Sequence, residues 1–146
     1  MNVHKYFTEE NKLQIANAIR VAELNTSGEI RIHIEEFCKG DVLDQAAYVF
    51  EKLEMHKTQL RNGVLFYMAI EDHKFAILGD VGINQKVPGD FWEKTKEIVL
   101  SNFKEGNLTE GLTKGILMAG EQLKENFPYH VDDKNELSND ISFGKN

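Results

Sequence analysis

Over residues 29–37 the chain alternates, with Ile30, Ile32 and Ile34 on one side and Arg31, His33 and Glu35 on the other. Period-two alternation predicts a strand with one face buried and one face wet. Residues 64–70, Val-Leu-Phe-Tyr-Met-Ala-Ile, are apolar without a break, as expected of a strand covered on both faces. Glu71-Asp72-His73-Lys74 then predicts a hairpin turn, and residues 74–79 a returning antiparallel strand. With that turn Ile70 faces Phe75 and Leu65 faces Asp80.

Elsewhere the apolar period is helical. Thr8 can cap a helix over 9–24, with Leu13, Ile15, Ala16, Ile19 and Ala22 turned inward. Gly40-Asp41 opens a second, with Leu43, Ala46, Ala47, Phe50 and Leu53 on its apolar stripe. A third begins at Asp90, with Phe91, Thr95, Ile98, Val99 and Phe103 inward. A fourth begins near Thr109, with Leu112, Ile116, Ala119, Leu123 and Phe127 inward. Gly111, Gly115 and Gly120 fall on this last helix at a cost of roughly 1 kcal/mol each relative to alanine, which predicts close helix packing there. Residues 129–146 are polar and predict an irregular tail. The order helix, strand, helix, strand, strand, helix, helix makes the first two strands parallel through a right-handed crossover and adds the third antiparallel. The expected architecture is a three-layer α/β/α sandwich with a small mixed sheet, a single domain over 1–128.

Composition narrows the function. A chain of 146 residues, 41% hydrophobic, suits one core. Its formal charge of -7 argues against nucleic acid, which needs clustered Lys and Arg. One cysteine, Cys38, leaves no intrachain disulfide. The first residues have no apolar core of the signal-peptide kind, and no apolar run approaches the roughly 20 residues of a membrane span. The expectation is a soluble cytoplasmic protein.

The predicted topology gathers Ser27-Gly28-Glu29, Arg61-Asn62-Gly63 and Gly79-Asp80-Val81-Gly82 at one end of the sheet, with the loop ending at Asp90 above them. Glu29, Asp80 and Asp90 bring carboxylates, and Asn62 and loop carbonyls bring neutral oxygens. An all-oxygen set suits Ca²⁺ or Mg²⁺ rather than zinc. The plain alternative is that the glycines serve turns, the aspartates cap helices and Glu29 is solvated. A second acidic group, Glu35, Glu36, Asp41, Glu71 and Asp72, collects at the opposite end, where open α/β sheets usually bind ligands. His56, Lys57 and Arg61 form the best basic cluster and, with a bound metal, could hold phosphate; at a helix C-terminus they also read as dipole-favoured cations. Other motifs carry less. Asp44 stands where a cysteine phosphatase needs Arg after Cys38. The histidines have no zinc spacing, His33 reads as solvated or hydrogen-bonded, and Asp132–Asp140 lacks a calcium loop's central Gly and final Glu.

Three stretches carry a resemblance: SGEIRIHIE after the first helix, MHKTQLRNGVLFYMAIEDHKFAILGDVGI, and FKEGNLTEGLTKGI before the last helix. On these the chain resembles the TPM domain family, also called TPM phosphatase domains. The resemblance implies an α/β/α sandwich, and it implies divalent-cation binding as found in some members. Members include a thylakoid lumen acid phosphatase of photosystem II repair and a membrane protein that modulates acetylcholine receptors. Many members carry Gly-Tyr-Gly-Leu-Glu where this chain has Gly79-Asp80-Val81-Gly82-Ile83, so the resemblance assigns no role to Asp80, and Glu29 is not a fixed family acid. The resulting expectation is a domain binding Ca²⁺ or Mg²⁺ with weak or no phosphatase activity. The alternatives are a protein-interaction or repair-assisting module without catalysis, and a metal-dependent acid phosphatase.

Overall fold

Residues 5–128 and 141–144 are described by the computed structural model. Helix α1 spans Glu9–Glu23 and is capped by Thr8, whose hydroxyl accepts from the Asn11 amide while Asn11 returns the bond. Strand β1 is Glu29–Glu35, helix α2 Val42–Lys52, strand β2 Gly63–Ala69 and strand β3 Lys74–Gly79. The single-turn helix α3, Val81–Asn84, leads to α4, Phe91–Lys104, and α5, Leu108–Asn126. Strand β4, Ser142–Phe143, closes a four-stranded sheet of order β3-β2-β1-β4. β1 lies parallel to β2 and β4, and β2 antiparallel to β3.

The sheet separates two cores, so the architecture is the expected α/β/α sandwich. Ile30, Ile32, Ile34, Val64, Phe66 and Met68 point to one side, against α1, α4 and α5. Leu65, Tyr67, Ala69 and Ala76 point to the other, against Ala46, Val49 and Phe50 of α2. Every residue of β2 is buried, as its unbroken apolar run required. β1 differs from the half-wet strand predicted: His33 and Glu35 are buried too, where Tyr67 of β2 and Gln45 of α2 meet Glu35 and β4 pairs along the edge.

Other differences have equally local causes. The hairpin turn takes four residues, 70–73, with His73 in the left-handed region, so Val64 pairs with Gly79 and Leu65 with Leu78. The expected partner of Leu65, Asp80, therefore lies two residues away, and the even offset leaves each side chain on its predicted face. In α1 the buried stripe is Ile15, Ala18, Ile19 and Ala22; Leu13 lies about 200° round the helix from Ile15 and is 71% exposed. In α2 the stripe runs through Ala46, Val49 and Phe50, leaving Leu43 and Ala47 exposed. Most of the expected tail lies outside the described residues, but Ser142–Phe143 form a strand that their polar surroundings did not signal.

Close packing explains the α5 glycines. A Cβ on Gly115 would stand 2.7 Å from Val99 of α4, and one on Gly120 2.6 Å from Ala22 of α1. Among the described residues no helix is long and apolar enough to cross a membrane.

Candidate functional site

The glycine-rich end is built by register. Glu29 pairs with Gly63 across the parallel ladder, the Glu29 amide donates to the Asn62 carbonyl at 3.4 Å, and the Asp80 amide donates to the Gly63 carbonyl at 2.9 Å. The three segments expected to converge therefore do so. α3 then lies directly on the loop before β2: Gly82 donates to the Arg61 carbonyl at 2.8 Å, and a Cβ there would stand 2.1 Å from the Leu60 carbonyl oxygen.

Asp80 is buried and fully engaged. Arg61 grips it in a bidentate pair, Nε to Oδ2 at 2.7 Å and Nη2 to Oδ1 at 2.8 Å, and Oδ1 also accepts from the Val81 amide at 2.7 Å. Arg61 can do this because its backbone is left-handed, φ 53°, while its side chain stays 47% exposed. The carboxylate holds the Arg61 guanidinium above its already high ordinary pKa. The pair borders a depression of about 380 Å³ that Glu51 and His56 also line. Lys57 of the expected basic cluster turns away to Glu54.

The other expected ligands sit differently. Asn62 is buried and its amide donates to Ser27 Oγ at 3.3 Å. Glu29 is buried at the start of β1 rather than solvated. Asp90 is exposed and pairs with Lys94 at 3.1 Å, which holds its carboxyl below the usual range. Among the described residues no three His, Cys, Asp or Glu side chains form a group that could hold a metal ion.

The opposite acidic group is dispersed into separate tasks. Asp41 caps α2, Asp72 accepts from the Cys38 amide at 2.7 Å, and Glu71 accepts from the Tyr6 hydroxyl. Glu35 sits inside a buried network. It accepts from Tyr67 Oη at 2.5 Å and from Gln45 at 3.2 Å, and it meets His33 Nε2 at 3.1 Å, while His33 Nδ1 meets Ser142 Oγ at 2.7 Å. Burial lowers the His33 pKa despite Glu35, and burial with Glu35 raises that of Tyr67.

The TPM domain profile matches residues 2–122. The chain belongs to the TPM domain family. The NMR structure of the BA42 protein from the psychrophilic bacterium Bizionia argentinensis is 48% identical, covering 98% of this chain and 99% of that one, with a TM-score of 0.89. The N-terminal domain of a P. gingivalis protein shares the fold at 14% identity over 86% of this chain and 83% of its own, with a TM-score of 0.69. The N-terminal domain of the cg2496 protein from Corynebacterium glutamicum does so at 10% identity over 82% and 75%, with a TM-score of 0.65. No curated protein matches.

Two polar features of this TPM domain carry no signal in the sequence pattern. Glu23, on the last turn of α1, accepts from the Ile30 amide at 2.8 Å, and burial pushes its carboxyl up to about 7 while that bond pulls it back. The His33–Glu35–Tyr67 network is hidden because His33 and Glu35 are polar residues on what reads as a wet face. The alternation of Ile30, Ile32 and Ile34 signals only the other face of the strand.

Proposed function

We propose that this TPM domain binds a divalent cation weakly at its glycine-rich end, with Asp80 as the carboxylate that meets the ion, and that it has weak or no phosphatase activity. The observation that carries the reading is the Arg61–Asp80 pair. A buried carboxylate at a depression has as its counter-ion a half-exposed guanidinium that can swing out into water. A closed three-carboxylate site does not fit these residues, since Asp90 is paired with Lys94 and each Asp80 oxygen already accepts a hydrogen bond. A largely hydrated ion with few protein ligands, replacing the guanidinium, does fit, and that mode suits Mg²⁺ more than Ca²⁺. Such an ion would supply positive charge to an anionic ligand at the depression.

This predicts competition between arginine and metal. In an amide-shift titration with Mg²⁺ or Ca²⁺, changes are expected at 27–29, 61–63 and 79–84, with affinity near the millimolar range. Asp80→Asn should abolish them. Arg61→Asn, which tolerates the left-handed backbone, should tighten binding roughly tenfold by removing one competing charge. Glu29→Gln, Asn62→Ala and Asp90→Asn measured alongside assign the share of each. Changes at 35–41 and 71–73 instead would move the ion to the other end of the sheet, and no localised change would leave the interaction-module reading in first place. That second reading is supported by Leu60 and Val81, 47% and 53% exposed on adjoining segments beside the pair.

For the phosphatase alternative, p-nitrophenyl phosphate hydrolysis is expected to be slow or absent with either metal. Asp80 is held in an ion pair, and a metal without a positioned nucleophile gives limited catalysis. Robust turnover lost on Asp80→Asn would make the domain a metal-dependent phosphatase.

A further inference from the structure

At the end of the sheet opposite the Arg61–Asp80 pair, a cleft of about 780 Å³ opens between the β2–β3 hairpin and the turn joining α4 to α5. That size falls in the roughly 300–1,000 Å³ range of small-molecule sites. Met68, Ile70 and Phe75 form its buried floor, and Leu100, Phe103 and Leu108 its half-buried walls. Among the described lining residues there is no Ser, Thr, Asn or Gln side chain. Along this floor and these walls a sugar, a nucleobase or a peptide backbone would lose its hydrogen bonds to water and find few replacements, at a cost of about 1–3 kcal/mol for each orphaned group. An alkyl chain loses nothing on entry.

The charges at the rim select a head group. On a chain of net charge -7, the described residues lining the cleft include three lysines, a histidine and a single acid. That acid, Glu71, is already occupied by the Tyr6 hydroxyl and lies 3.7 Å from Lys5 Nζ. Lys74 is spent on the Cys38 and Gly40 carbonyls at 2.8 and 2.9 Å. Lys104, exposed at the end of α4, has no acidic partner among the described residues. We propose that this cleft binds a single-chain anionic amphiphile, its alkyl chain along the Met68–Phe75–Phe103 surface and its carboxylate or phosphate head at Lys104. The proposal is independent of the cation site.

The test uses decanoate below its micelle concentration, with decan-1-ol as the uncharged match and decyl phosphate as the second head group. Decanoate should shift amides at 68–75 and 100–108 and leave 61–63 and 79–82 unmoved. Lys104→Glu should weaken decanoate roughly tenfold, the worth of one charged hydrogen bond, without affecting decan-1-ol. Leu108→Glu places a carboxylate inside the cleft at a helix N-terminus, where the dipole favours acid, so the fold should hold while decanoate binding is lost. Decyl phosphate binding as well as decanoate supports the shared chemistry with a phosphate monoester as the source; weaker binding assigns a fatty carboxylate. The proposal is overturned if decan-1-ol binds as tightly as decanoate with Lys104→Glu indifferent. It is equally overturned if shifts scatter to exposed apolar residues such as Leu13 and Leu43, or if Leu108→Glu binds decanoate normally.

Discussion

Gly82→Ala is expected to lower the unfolding free energy by about 3 kcal/mol, the upper end for overpacking, and the melting temperature by roughly 10 °C. The added Cβ would stand 2.1 Å from the Leu60 carbonyl oxygen and 2.5 Å from that of Arg61. Both are backbone atoms, so no rotamer change relieves the contact. Either α3 lifts off the loop, losing the Gly82 and Ile83 amide bonds to Arg61, or the loop before β2 shifts. In both cases the Arg61–Asp80 pair loses its geometry, so the variant should also lose any cation response. Gly40→Ala and Gly89→Ala are the controls. Nothing lies within 4 Å of their added Cβ and neither glycine has a positive φ, so both should be neutral or stabilising by up to about 1 kcal/mol. Chemical denaturation of the three variants decides the matter. A Gly82→Ala midpoint no lower than those of the controls would mean that α3 is not seated on the loop.

Glu23→Gln should stabilise the protein at pH 8 by on the order of 3 kcal/mol and leave it unchanged near pH 4. The Glu23 carboxyl is raised by burial from 4.5 to about 7 in the folded chain, so the folded state binds the extra proton between those values. Stability contributed by that proton is complete below about 4.5 and is lost as pH rises through 7. Glutamine cannot ionise, and its carbonyl can still accept from the Ile30 amide. His33 works in the opposite sense: its lowered pKa makes protonation on acidification unfavourable in the folded state. The difference between wild type and variant at each pH cancels that contribution and isolates Glu23. An offset of equal size at pH 4 and pH 8 would show that packing, not ionisation, separates the two proteins.

Much of this architecture is legible in the order of residues alone. Helical period places α1, α2, α4 and α5, and the unbroken apolar run 64–70 places β2 inside a two-sided core. A right-handed crossover then requires Glu29 and Gly63 to start their strands at one end, which brings Asp80 there as well. These inferences rest on physics acting over a few residues, where side-chain period and turn chemistry dominate. The polar contacts have another origin. Arg61 reaches Asp80 because its backbone turns left-handed and α3 folds back onto the loop. Glu23 meets Ile30 because the last turn of α1 comes back beside the start of β1, ahead of the His33 and Ile34 positions that β4 pairs. His33 meets Ser142, 109 residues away, because a short strand from the polar tail joins the sheet. The 780 Å³ cleft exists because the hairpin turn and the α4–α5 turn stand apart. Local period determines which face of each element is apolar. Which polar groups meet behind those faces is decided by how the layers stack, and the exposed sequence pattern carries no record of it.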